Sequence, residues 1–209
     1  SSAQLTSLTA EQVATLKTSQ VKALSNSQLQ ALTTGQVAAM STDQIVALTT
    51  GQIASIESAD LVSIKADALA ALSTAQIRAL TNTQMAALTG DQLSHLTTAQ
   101  IANGLSTSQV VGIDINKLNN LTTDQVRAFT TGQVSALSSF ALNNFGVDQM
   151  SALSASQVRA ISTAVINTLD STHLQSLGTA SIAALKTEQL ARLTPEQMAS
   201  LTGQQVSSL

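Results

Sequence analysis

Very few side chains here could do chemistry. The 209 residues hold two histidines, His95 and His173, and no cysteine, tryptophan or tyrosine. The lack of Cys removes disulfide frameworks, thiolate metal sites and cysteine nucleophiles. A zinc site needs three or four converging ligands, and neither histidine has a second ligand near it in the pattern. Serines are plentiful, which raises a Ser-His-Asp arrangement, but no nucleophile elbow accompanies them. Asp114-Ile115-Asn116 is spaced like the start of a calcium loop. Such a loop needs Gly at its sixth position and Glu at its twelfth, and both are missing. The expectation is therefore no catalytic, metal or cofactor-binding residue, no cofactor, and a chain that is not an enzyme.

Bulk composition narrows the classes further. Charged residues are 10% and aromatics 1%, while the apolar share is 44%. Low charge with ordinary hydrophobicity argues against intrinsic disorder. A net charge of −3 with singly spread charges leaves no electrostatic footprint for nucleic acid. No apolar run approaches the eighteen or so residues of a membrane span, so no membrane insertion is expected. The Ser1–Ser2 start has no basic and apolar leader behind it. The chain opens and closes in mid-pattern, as a piece of a longer protein would.

The pattern is an eight-residue repeat. Leu8, Leu16, Leu24, Leu32 and Met40 begin a column that continues to Leu96; after one extra residue near Asn103–Gly104 it resumes at Leu105 and ends at Leu209. A second apolar column runs three residues earlier in every repeat, from Leu5 and Val13 to Val206. Twelve octads (1–96), a nine-residue octad 13 (97–105) and thirteen more (106–209) account for the whole chain. This predicts one solenoid over 1–209, with a one-residue register shift near 103–104 and no separate domains. The consensus is Ser/Thr, Ser/Thr, any, Gln, aliphatic, any, small, Leu. Ser or Thr fills the first slot in 18 of 26 octads and Gln the fourth in 19 of 26.

Each octad reads as a short helix of its own. Ser/Thr with Gln three residues later is a capping box, in which hydroxyl and amide satisfy backbone N–H groups at the helix start. Pro195, the single proline, stands at the first helical position behind Thr194. Eight of twelve acids sit in the third slot, whereas Lys22, Arg78, Arg127 and Arg159 sit in the sixth. Acid early and base late is what a separate dipole per octad favours. One continuous helix would turn about 800° per octad and let its apolar stripe drift by about 80°. The prediction is an all-α solenoid of 26 short capped helices, each about six residues, held by stacking because such helices are unstable alone. Octads show no odd-even alternation, so a spiral is expected rather than stacked hairpins. At this stage Gln is credited with capping alone, about 1 kcal/mol per cap.

His95 occupies the small seventh slot and His173 the Gln slot, both read as structural. The stretch from Asn103 to Phe145 is irregular and carries all three phenylalanines. Phe129 and Phe145 replace Leu in the seam. Phe140 falls in the variable third slot and, with Asn143 and Asn144, forms a candidate contact patch. Paired hydroxyls once per octad also suggest a regular Ser/Thr ladder of the kind found in ice-binding solenoids.

Two resemblances extend this reading. Thr194-Pro195-Glu196-Gln197-Met198 resembles the opening of a TAL-effector repeat; those repeats are about four times longer, and nothing else matches. Tracts such as Leu32–Met40 and Leu121–Phe129 are similar to octapeptide-repeat arrays (LTTxQVxAL-like) of long bacterial secreted or adhesin-like proteins. That resemblance implies a secreted or surface-attached region and transfers no functional residue. The expected role is structural: a spacer in a larger bacterial surface or secreted protein, with a cytoplasmic location left open. The alternative is a module binding a protein, a glycan, another surface ligand or a second copy of itself.

Overall fold

The computed structural model describes residues 2–209. Among them are 24 α-helices of four to six residues, a π-helix at Gln100–Gly104 and a 3-10 helix at Ile115–Asn120, and no strand. That is one helical element per octad, the all-α solenoid the repeat predicts. The chain divides into two compact units, Ser1–Asp114 and Ile115–Leu209, and each is built by the same rules.

The corner between helices explains why glycine is scarce. Met40 (φ −60°, ψ 137°) ends one helix and Ser41 (φ −71°, ψ 161°) opens the next. These two extended residues redirect the chain without any left-handed conformation, and no described residue has positive φ. The corner therefore needs no glycine. Ser41 Oγ then accepts the N–H of Gln44, and Gln44 Oε1 accepts the N–H of Ser41 at 2.8 Å. Most octads with a Ser/Thr first slot repeat this reciprocal cap.

Helices of under two turns persist because they pack. In the first unit Ala10–Ala14 packs against Thr34–Ala39, which packs against Ser58–Ser63, a step of 24 residues. In the second, Val147–Ser151 packs against Ser171–Ser176 and that against Pro195–Ser200. Slots five and eight are buried along each coil, as at Ile53 and Ile56 or Val158 and Ile161. These are the two apolar columns of the sequence. Slots two, three and six are mostly exposed.

The extra residue of octad 13 is absorbed locally. Leu105 N–H bonds the Gln100 carbonyl at 2.9 Å, five residues back, so the last turn widens to a π-turn. Gly104 is required at that bulge. A Cβ there would lie 3.1 Å from Ile77 Cγ2, a fully buried side chain of the neighbouring coil.

Candidate functional site

The feature repeated most faithfully is the fourth-slot glutamine, and the structure gives it a second task. Its Oε1 closes the cap of its own helix. Its Nε2 reaches backward to the preceding coil: Gln36 donates to the Leu8 carbonyl at 2.7 Å and to that of Leu5 at 2.9 Å. Gln84 does the same to Ile56 (2.8 Å) and Ile53 (2.9 Å), and Gln149 to Leu121 (2.6 Å) and Leu118 (2.9 Å). The partners stand 28 and 31 residues earlier, at slots eight and five of an earlier octad. Those carbonyls lie at a helix end, where intrahelical donors run out. One amide thus caps the start of its own helix and the end of another, using its carbonyl once and both N–H groups.

The 28-residue step also fixes the coil. Twenty-eight residues are three and a half octads, so each helix start rests on a helix end one turn below. The π-turn preserves this geometry: after the insertion Gln109 grips Leu80 and Ile77, 29 and 32 residues back. From Gln36 onward every fourth-slot glutamine is buried. A clamp of buried, fully bonded amides contributes more than the roughly 1 kcal/mol of an exposed cap, which revises the expectation from sequence. A clue stood in the sequence. Glu closes a capping box as well as Gln, yet it occupies the fourth slot in none of the octads. Glu lacks the N–H donors and would bury a charge beside carbonyls.

Seven octads carry another residue at this slot: Asp60, Ala68, Lys117, Ala141, Val165, His173 and Ser181. Two of these mimic the clamp. His173 Nε2 lies 2.8 Å from the Phe145 carbonyl and Ser181 Oγ 3.1 Å from that of Leu153, each 28 residues back. His173 is thus placed as a stand-in for glutamine, with Nδ1 3.6 Å from Asp170 Oδ2. Buried Asp60 accepts instead, from Thr34 Oγ1 at 2.6 Å.

The other singled-out residues are scattered. His95 Nδ1 sits 2.8 Å from the Asp91 carbonyl, and its Nε2 3.8 Å from Asp67 Oδ1, on an exposed surface. Among the described residues no group of three or more His, Asp or Glu could hold a metal ion. Asp114-Ile115-Asn116 leads into the 3-10 helix. Of the candidate patch, Phe140 is 66% exposed. Asn143 is engaged across coils, donating to the Thr168 carbonyl (3.0 Å) and accepting from Asp170 N–H (3.1 Å). Asn144 bonds the Phe140 carbonyl of its own turn. A groove of about 660 Å³ in the first unit has Lys22 as its one charged lining residue, beside Val46, Ser73 and Gln76. No described helix is long and apolar enough to cross a membrane.

Comparison with known families returns the ALTTAQ repeat, which matches residues 26–56, 53–90 and 166–203. The first two stretches fall in the first unit and the third in the second. The letters of that name spell slots seven, eight, one, two, three and four of the octad, the corner plus the clamp. No curated protein matches the chain. These stretches are similar to a repeat family, and the chain is a repeat protein.

Proposed function

We propose that this chain is a non-catalytic structural spacer, a repeat segment of a larger bacterial surface or secreted protein that works through its shape. One observation supports this best: the polar groups the repeat places most consistently are consumed inside the molecule. First-slot hydroxyls cap helices and fourth-slot amides clamp coils, while the outward slots vary from octad to octad. The similarity to LTTxQVxAL-like arrays of secreted proteins supports the location. An ice-binding hydroxyl ladder fits less well, because three and a half octads per turn offset first-slot hydroxyls by half an octad between consecutive coils.

A binding module is the second reading, favoured by the exposed Phe140 ring. Excising octad 5, Thr33–Met40, separates them. A spacer keeps its helical circular dichroism and stays monodisperse, because every remaining glutamine still meets a slot-eight carbonyl 28 residues back. Unfolding on that excision would contradict the spacer reading. Loss of capture of a surface ligand in Phe140→Ser, with the helical signal intact, would favour the binding module.

A further inference from the structure

Octads 21–23 (162–185) carry Val165, His173 and Ser181 where glutamine belongs. Three successive octads are 24 residues of a 28-residue turn, so the missing glutamines fall on one coil boundary of the second unit, between octads 17–19 below and 21–23 above. Val165 offers no donor. His173 and Ser181 each reach only the carbonyl 28 residues back, whereas glutamine spans that one and the one 31 back. Asn143 adds the cross-coil pair of bonds to Thr168 and Asp170. Neighbouring boundaries keep the full clamp: Gln157 grips Phe129 and Val126, and Gln197 grips Leu169 and Ile166.

We infer that this boundary is a yield point: it parts before the other coil boundaries of the unit, under heat or load, while coils on either side stay closed. Resting on the spacer reading, it lengthens the segment in a defined step. In a stacked repeat each coil is held by its neighbours alone, so the boundary with fewest buried bonds opens at the lowest free energy. Parting removes the packing that supports the short helices lining it.

Native-state hydrogen exchange on the intact chain tests this. The amides of Ile166, Leu174 and Ile182, bonded to Ser162, Asp170 and Gly178, should exchange at least about tenfold faster than those of Val158, Met85 and Leu93. Restoring the clamp with Val165→Gln, His173→Gln and Ser181→Gln together should bring them within about threefold. Asn143→Ala should speed them by a further roughly tenfold and leave Met85 and Leu93 unchanged. Equal rates in the parent chain, or no effect from either variant, would overturn the yield point. If these results hold while excision of octad 5 unfolds the protein, the yield point stands and the spacer reading falls.

Discussion

At the residue scale, identity is set by which hydrogen-bonding groups a side chain brings. Glutamine has one acceptor for its own cap and two donors for the coil before it; histidine and serine supply one donor and reach one carbonyl. The first-slot hydroxyl is less demanding. Lys17, Gly146 and Lys186 replace it, and their backbone N–H groups still bond Gln20, Gln149 and Gln189. Glu196 shows the helix start acting on charge. Its own backbone N–H, then the Thr194 hydroxyl, hold its carboxyl below the ordinary value. A carboxyl depressed in the folded state adds stability above its unfolded titration point and loses it as the pH falls through the folded one. An NMR titration should place the Glu196 midpoint below that of glutamate in an unstructured peptide, and Thr194→Ala should move it upward. A midpoint at or above the peptide value would contradict the assignment.

At the scale of the element, the octad is the shortest unit combining a cap, a turn and a half of helix and an extended corner. The cap and helix were legible in Ser/Thr-x-x-Gln and in the acid-early, base-late charges, since those interactions close within eight residues. The corner was not, because two extended residues leave no glycine or proline as a marker. The register shift was legible at Asn103–Gly104, but not its form as a π-turn. Glycines test the difference between a tolerated and a required position. Gly35 has open space where a Cβ would stand, within the helix Thr34–Ala39. Gly35→Ala should stabilise the chain by about 0.5–1 kcal/mol. Gly104→Ala meets Ile77 and should destabilise by about 1 kcal/mol or more. Denaturant midpoints of the two variants read both effects, and equal shifts would refute the close approach at the π-turn.

At the scale of the whole molecule, stability is a sum over coil boundaries rather than the product of one central core. The solenoid class followed from the repeat and from the instability of lone short helices. The coil period did not, because near-identical octads give no hint of which pairs meet, and capping already accounted for every glutamine. The same self-sufficiency left Phe140, Asn143 and Asn144 looking alike in sequence, although Asn143 and Asn144 hydrogen-bond within the fold and the Phe140 ring projects into solvent. The clamp itself is tested most directly by one substitution made at two places. Gln→Glu keeps the cap acceptor and removes the donors. Gln84 grips Ile53 and Ile56 across a coil boundary, whereas Gln12 makes its own-helix bonds and no cross-coil bond among the described residues. Equilibrium denaturation at pH 7 should find Gln84→Glu destabilised by about 3 kcal/mol or more and Gln12→Glu within about 0.5 kcal/mol of the parent. Equal effects at the two positions would mean that glutamine serves its own helix alone, and the clamp would be contradicted.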